Sequence, residues 1–326
     1  MAELTLVEAV RAALAHALEE DPSVVILGED VGVDGGVFRA TDGLWQRFGR
    51  DRVRDTPLSE AAIAGMAVGL AAQRFRPVAE IQFQGFIHPA LDQVANHAAR
   101  LRNRTRGRLT CPMVLRAPYG GGVHAPEHHS ESIEALFAHI PGLRVVIPAT
   151  PRHAYGLLLS AIRDPDPVVF FEPKRLYRAQ RQEVAMDGAG LPLDTAFTLR
   201  EGRDVSLITW GAMTRDALEA AEALTDEGIE AEVLDMATLK PYDSAALLAS
   251  VRRTGRCVIV HEAPRTGGFG AEIAARVAEE ALDALVAPIR RVCPPDIIPP
   301  LPQLEAAYMP SSADICRAVR EVMAWR

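Results

Sequence analysis

The sequence predicts an α/β protein built from two open-sheet domains, each with parallel strands covered by helices. Apolar, strand-like runs alternate with helical patterns from end to end, which is typical of parallel sheets joined by helices. The length of 326 residues exceeds the size at which a single hydrophobic core usually stops growing. The periodicity fades over residues 186–203, around Gly188 and Gly190, and we interpret this stretch as a linker. We therefore expect domains over residues 1–185 and 204–326.

The first domain opens with a helix-start signal. Thr5 and Glu8 have the spacing of a capping box, which predicts a helix that continues to about Ala17. Ser59 is a second N-cap residue, ahead of a helix rich in alanine and glycine. The remaining expected elements are strands at Val24–Leu27, Pro77–Phe83, Met113–Arg116, Leu143–Ile147 and Val168–Phe171, and helices at about Pro89–Leu101 and His153–Ile162.

The alternation restarts after the linker and predicts a second α/β unit. The proline-rich piece Cys293–Pro302 should be irregular surface, followed by a last helix near Ala313–Met323. The other expected elements are strands at Val205–Thr209, Glu230–Leu234, Cys257–His261 and Ile289–Val292, and helices at Thr214–Leu224, Ser244–Val251 and Ala271–Leu285.

Composition and charge exclude several classes of protein. Hydrophobic residues make up 48% and charged residues 24% of the chain, which is a globular balance. The net charge is −8 and the basic residues are scattered, so we expect no nucleic-acid partner. We expect no membrane partner either, because no apolar run approaches the roughly 20 residues that span a bilayer. The cysteines lack CxxC spacing and indicate reduced thiols in a cytoplasmic protein; they are Cys111, Cys257, Cys293 and Cys316.

The loop from Tyr119 to Ser130 is unusual in carrying three glycines and three histidines. His124 and His128 have the spacing of a helical metal pair, but Pro126 between them disfavours helical geometry. A metal site is therefore a poor interpretation. A proton-transfer role for at least one histidine and a plain solvated loop both remain open.

Glu60 follows the capping serine and stands in the first turn of the expected helix. Its charge there is explained by the helix dipole alone. Taken singly, Gln82 and Phe86 look like a strand end and a core aromatic residue. None of these residues indicates a function by itself.

Several strings, in a fixed order, change this interpretation. They are LGEDVG with GGVF in residues 27–38, DTPLSEAAIAG in 55–65, PVAEIQF in 77–83, RAPYGGGVHAPEHHSES in 116–132, IRDPDPVVFFEPKRLYR in 162–178, and HEAPRTGGFGAEIAA in 261–275. Over nearly its whole length the chain resembles the β subunit of the thiamin-diphosphate-dependent decarboxylating component of 2-oxo acid dehydrogenase complexes. The resemblance implies a pyrimidine-binding domain followed by a transketolase C-terminal-like domain.

The resemblance also implies roles for individual residues. Glu60 matches the glutamate that contacts N1′ of the coenzyme's aminopyrimidine and so helps to relay a proton. His129 matches the active-site histidine that positions substrate or exchanges a proton during acyl transfer to lipoamide. The other matching positions line or adjoin the aminopyrimidine pocket, and they are Glu29, Leu58, Gln82 and Phe86. Some branched-chain relatives carry tyrosine in place of Phe86, and His128 lies where relatives vary, so we assign it no catalytic role.

A second polypeptide is implied as well. In the family, an α subunit holds magnesium and the diphosphate through a GDG motif, and this chain contains no GDG. We therefore expect a heterotetramer of two α and two β chains that docks on the peripheral-subunit-binding and lipoyl domains of an acyltransferase core. Relatives can also hold potassium in the loop that here includes Ala161, Asp164 and Asp166.

Different parts of the sequence indicate different substrates. GGGVHAPE and FQGF resemble pyruvate-type subunits, whereas EPKRLYR and HEAPRTGGFGAEI resemble branched-chain ones, towards which the sequence leans slightly. The alternatives are a pyruvate dehydrogenase subunit, a transketolase or deoxyxylulose-phosphate synthase fragment, and a non-catalytic assembly or electron-transfer subunit.

Overall fold

A computed structural model describes residues 1–325 and divides the chain into two compact units. The first unit comprises Met1–Tyr119 and Leu136–Leu193. The second comprises Gly120–Ala135 and the chain from Asp194 onward. The break at Leu193 lies inside the expected linker, but a segment of 16 residues within the expected first domain groups with the second unit.

The main sheet of the first unit confirms the α/β expectation. Its strands lie in the order β6-β7-β5-β4-β2-β3 and all pair in parallel, while β1 pairs with β8 in an antiparallel ribbon. The strands are β1 (Ala2–Leu4), β2 (Val24–Gly28), β3 (Val53–Asp55), β4 (Arg76–Glu80), β5 (Val114–Tyr119), β6 (Arg144–Val146), β7 (Val168–Pro173) and β8 (Gln182–Val184).

Helices cover this sheet, and the first has the expected cap. The Thr5 hydroxyl accepts from the Glu8 amide, and the Glu8 carboxylate accepts from the Thr5 amide at 2.8 Å. The α-helices that begin before residue 164 are α1 (Leu6–Glu20), α2 (Leu44–Phe48), α3 (Glu60–Ala72), α4 (Leu101–Arg104), α5 (Glu134–Ala138) and α6 (Pro151–Arg163).

The helix expected over Pro89–Leu101 is not one regular α-helix. A 3₁₀ turn at His88–Ala90 leads into a π-helical stretch over Gln93–Ala98, and α4 follows. In the π segment the Ala99 amide donates to the Val94 carbonyl, five residues back, at 2.9 Å. The spacing of apolar and polar residues in the sequence cannot distinguish this wider hydrogen-bond pattern from that of an α-helix.

The second unit has its own sheet, in the order β14-β13-β10-β11-β9. All pairs are parallel except β9 with β11, and β9 lies inside the range expected to be linker. The strands of this sheet are β9 (Phe197–Arg200), β10 (Val205–Thr209), β11 (Ala231–Asp235), β13 (Cys257–Val260) and β14 (Arg290–Val292), and the short β12 (Thr238–Lys240) does not belong to it. The linker interpretation is therefore wrong for Phe197–Arg200.

Five helices of the second unit complete the described chain. Buried apolar residues of α7 and α11 pack on the sheet to form the core of this unit, with Leu207, Val233 and Val319 among its fully buried members. The helices are α7 (Met213–Thr225), α8 (Ser244–Thr254), α9 (Phe269–Glu280), α10 (Pro302–Tyr308) and α11 (Ser312–Met323). Among the described residues no helix has the length and hydropathy to cross a bilayer.

Candidate active site

Glu60 is the first residue of α3, and Glu29 immediately follows β2. Burial raises the pKa of the Glu29 carboxyl, and the negative charges of Glu60 and Asp30 raise it further, while the Ser59 amide donates to it and opposes this shift. The two glutamates therefore lie close enough to interact electrostatically. The structure thus brings together two of the residues that the motifs assign to the coenzyme.

The Glu29 side chain has an unsatisfied oxygen. Its Oε1 atom is buried and has no hydrogen-bond partner among the described residues, and the same is true of the hydroxyl of Thr56, whose amide donates to the Gly28 carbonyl at 2.9 Å. A buried acceptor without a donor is costly, so such atoms often mark a place where a ligand supplies the partner. This observation fits a polar heterocycle bound beside Glu29 and Glu60.

The ends of neighbouring strands supply the other expected pocket residues. Gln82 follows β4, and its Nε2 atom donates to Asp30 Oδ2 at 2.9 Å, so it ties the loop after β4 to the loop after β2. Phe86 is half-buried in a 3₁₀ turn and packs edge-to-face on Phe83, with ring centroids 5.8 Å apart. Leu58 is 80% exposed. These residues stand at the carboxyl ends of parallel strands, where open sheets bind ligands.

A buried charge network lies on β4, β5 and β7 of the same sheet. Arg116 donates to Glu80 at 2.7 Å and to both carboxylate oxygens of Glu172, at 2.6 and 3.0 Å, and the Tyr177 hydroxyl also donates to Glu172 at 2.7 Å. Burial alone would lower the pKa of Arg116, but the carboxylates of Glu172 and Glu80 outweigh it and raise that pKa. The guanidinium therefore stays charged and holds three adjacent strands together.

The segment of the second unit that carries His129 is called here the histidine loop, residues 120–130. His129 is half-buried at the end of a 3₁₀ turn over Glu127–His129. The His129 amide donates to the Pro126 carbonyl at 2.9 Å, and the buried Ser130 hydroxyl donates to the Ala125 carbonyl at 3.2 Å. His129 is therefore carried by a locally hydrogen-bonded turn.

The start of the histidine loop is bound by two carboxylates that sequence reasoning missed. Glu262 accepts from the Gly121 amide at 3.1 Å, and Glu305 accepts from the amides of Gly122 and His124 at 2.8 and 2.9 Å. Glu262 lies in the family string HEAPRTGGFGAEIAA, and this string is the signal by which it could have been found. Glu305 lies on α10, which the sequence did not predict, and no local pattern marks it.

The other two histidines of the loop are exposed. The His124 side chain is 73% exposed, with Nδ1 at 3.1 Å from Glu305 Oε2, and His128 is exposed. Within the part of the chain that the structure describes, no group of three or more His, Cys, Asp or Glu side chains could hold a metal ion.

Arginine side chains bind carbonyl and carboxylate oxygens of the expected potassium loop. Arg76 donates to the carbonyls of Ile162 and Asp164 at 2.8 and 3.3 Å. The Asp164 carboxylate pairs with Arg144 at 3.0 Å, and that of Asp166 pairs with Arg102 at 2.6 Å. A cation would have to compete with these guanidinium groups for the oxygens.

The chain matches known protein families over most of its length. Residues 2–180 match the family described as transketolase, pyrimidine binding domain, and residues 194–315 match transketolase, C-terminal domain. Proteins named pyruvate dehydrogenase E1 component subunit beta from Bacillus subtilis (strain 168) and Staphylococcus aureus (strain Mu50) are 48% and 46% identical, each over 99% of both chains. A solved structure described as a split gene transketolase, inactive beta4 tetramer, has a TM-score of 0.81 at 26% identity, over 99% of both chains.

The fold and the site define a thiamin-diphosphate-dependent enzyme component of the transketolase type. The chain belongs to the family of 2-oxo acid dehydrogenase β subunits, as its motifs predicted.

The slight lean towards branched-chain substrates is not supported. The relatives at 46–48% identity carry the name of the pyruvate enzyme. The strings that suggested a branched-chain enzyme, EPKRLYR and HEAPRTGGFGAEI, contain structural residues, because they include Glu172 of the buried network and Glu262 beneath the histidine loop. Such residues report on packing rather than on substrate.

Proposed function

We propose that this chain is the β subunit of a pyruvate dehydrogenase. With an α subunit it decarboxylates pyruvate oxidatively and transfers the acetyl group to lipoamide on an acyltransferase core. The observation that carries this proposal is 48% identity, over 99% of both chains, to a protein named as that subunit. The proximity of Glu60 to the buried Glu29 supports it, because coenzyme activation needs a carboxyl group at this place.

The residues of the first unit fit the aminopyrimidine end of thiamin diphosphate. Glu60 would hold a proton at N1′, and Glu29 would lie beside it as a second carboxyl group that retains its proton more readily than usual. Leu58 and Phe86 would offer apolar surface, and Gln82 would fix the loops after β2 and β4. When bound, the coenzyme supplies the electron sink that decarboxylation requires.

His129 is proposed to position the substrate or to exchange a proton during acyl transfer. Its half-burial at the end of a hydrogen-bonded turn suits this role, because a catalytic histidine must be held within about 3 Å of the atom whose proton it moves.

The partner chains are part of the proposal. The α subunit would hold magnesium and the diphosphate, in a heterotetramer of two α and two β chains. Peripheral-subunit-binding and lipoyl domains of the core would be further partners. The absence of a GDG motif from the sequence supports this division of the site. So does the description of a structural relative with the same fold as an inactive β4 tetramer.

Potassium and cellular location stay predictions. Potassium at Ala161, Asp164 and Asp166 would raise the melting temperature of the chain in KCl relative to NaCl at equal ionic strength, and identical melting curves would contradict it. A cytoplasmic location is consistent with the free cysteines of the described chain.

Co-expression with the α subunit tests the substrate. We expect kcat/KM for pyruvate to exceed that for 2-oxoisovalerate in a thiamin-diphosphate-dependent assay. A higher value for 2-oxoisovalerate would reject pyruvate, and ketol transfer between sugar phosphates without 2-oxo acid decarboxylation would favour the transketolase alternative.

Glu60→Ala in the same heterotetramer tests the role of this chain in the chemistry. We expect decarboxylation to fall by about 10²-fold or more, because removal of a proton-transfer group typically costs 10²–10⁴-fold. Glu272→Ala is the matched control, since Glu272 is an exposed glutamate in the first turn of α9. Equal activity of the two variants would favour the non-catalytic assembly or electron-transfer subunit.

A further inference from the structure

We propose that Glu262 and Glu305 are positioning residues that hold the histidine loop in its active shape. They act on His129 through the backbone of the loop and do not touch the substrate themselves. This inference rests on the proposed role of His129 for its catalytic part, but its structural part stands independently.

The Glu305 carboxylate binds the loop with both oxygens. Oε1 accepts from the Gly122 amide at 2.8 Å, and Oε2 accepts from the His124 amide at 2.9 Å and lies 3.1 Å from His124 Nδ1. Glu305 is only 4% exposed, so these donors replace water as partners of a buried charge. Without these donors the buried Glu305 carboxylate would be unsatisfied, which costs free energy. The hydrogen bonds therefore hold the loop against helix α10.

Glu262 binds the loop just before the amides that Glu305 binds. Its Oε2 atom accepts from the Gly121 amide at 3.1 Å, and the residue is 3% exposed. A Cβ atom placed at Gly120 would lie 2.6 Å from Glu262 Oε1, so any side chain at that position would collide with the carboxylate. The glycine allows the backbone to approach the charge closely.

The backbone conformation of the loop suits its contacts with the carboxylates of Glu262 and Glu305. Gly120, Gly122 and His124 all have positive φ, at +84°, +80° and +55°. This backbone directs the amides of Gly121, Gly122 and His124 to side-chain carboxylates, an arrangement that suits anionic acceptors. His124 is not glycine, so its left-handed conformation is strained and needs contacts to hold it. Glu305 supplies those contacts at both the amide and the ring of His124.

The constraint extends along the chain to His129. The next fixed point after His124 is the Ala125 carbonyl, which accepts from the Ser130 hydroxyl, and the Pro126 carbonyl then accepts from the His129 amide. Four residues separate the strained His124 from His129, and the intervening turn is internally hydrogen bonded. Loss of the Glu305 hydrogen bonds to the amides of Gly122 and His124 would therefore make the position of His129 less well fixed.

Hydrogen exchange of the full chain tests the structural part. Glu305→Gln retains the size of the side chain but leaves one acceptor oxygen for amides that now use two. We expect the amides of residues 121–124 to exchange about 10-fold faster or more, while β10 (Val205–Thr209) exchanges unchanged. Glu279→Gln, an exposed glutamate of α9, is the control. Unchanged exchange of the loop, or an equal increase in loop and β10, would overturn the inference.

Activity of the heterotetramer tests the catalytic part. We expect Glu305→Gln to lower acyl transfer to the lipoyl domain by about 10-fold or more, and to lower decarboxylation with an artificial acceptor less. Equal losses in the two assays, or none, would show that the carboxylate does not position His129. If the wild-type heterotetramer decarboxylated no 2-oxo acid, the proposed function would fail while the exchange experiment still decided whether Glu305 holds the loop.

Discussion

His129 is the residue whose role can be separated most clearly from that of the coenzyme. Because we assign it to acyl transfer, His129→Ala should lower transfer to the lipoyl domain by about 10²-fold and lower artificial-acceptor decarboxylation less. Steady-state rates of the reconstituted heterotetramer with the two acceptors give the comparison. His128→Ala is the matched control, since His128 is the exposed neighbour to which we assign no role. A common loss in both assays would place His129 in decarboxylation instead.

His261 should make the stability of the chain depend on pH. Burial, and then the charges of Arg291 and Arg265, lower its pKa from the ordinary 6.5 to about 4, and its ring stacks on Trp210 with centroids 5.2 Å apart. The unfolded chain binds a proton near pH 6.5, whereas the folded chain keeps His261 neutral until about pH 4. Stability is therefore lost as the pH falls through this window, by up to about 3 kcal/mol.

His261→Leu isolates this contribution. The variant is expected to lose less stability than the wild type between pH 7 and pH 5, whatever its absolute stability at pH 7. Melting temperatures of both proteins across this range provide the measurement. Parallel pH profiles would show that His261 titrates normally in the folded chain.

At the scale of elements, the network around Arg116 joins three adjacent strands of the sheet whose carboxyl ends lead to the candidate coenzyme residues. Arg116→Leu would leave Glu80 and Glu172 buried together without a counter-ion, and breaking such a network costs about 3–5 kcal/mol. Denaturant unfolding of the full chain at pH 7 measures the loss. Arg54→Leu at an exposed position of β3 is the control, and a loss no larger than the control's would contradict the assignment.

The sequence predicted elements whose signals are local and missed those whose signals are not. Helix α1 was predicted because Thr5 and Glu8 satisfy each other within one turn. Helix α10 was missed because the prolines just before it suggested irregular chain over Cys293–Pro302, although Pro302 stands at the first helical position, where proline is tolerated. Glu305 could not be assigned, since its partners lie 181 and 183 residues away. The candidate coenzyme residues were proposed from family strings, because their spacing alone is uninformative.

At the scale of the whole molecule, the chain should not catalyse the reaction by itself. The residues that we propose for the coenzyme serve its aminopyrimidine end, and the sequence has no GDG motif for the diphosphate. The purified chain with thiamin diphosphate and magnesium is expected to show only background decarboxylation of pyruvate, and addition of the α subunit should restore it. Turnover by the chain alone would contradict a divided site.

The dependence of the histidine loop on Glu262 and Glu305 also sets an order of events during biosynthesis. The ribosome adds about 180 residues between Gly122 and Glu305, which takes roughly 10 to 40 s at ordinary elongation rates. Throughout that interval the nascent polypeptide lacks the Glu305 contacts, although β5 (Val114–Tyr119), the strand before the loop, is already made. A product of premature termination before α10 would thus retain the first sheet and still lack the means to set His129 in place.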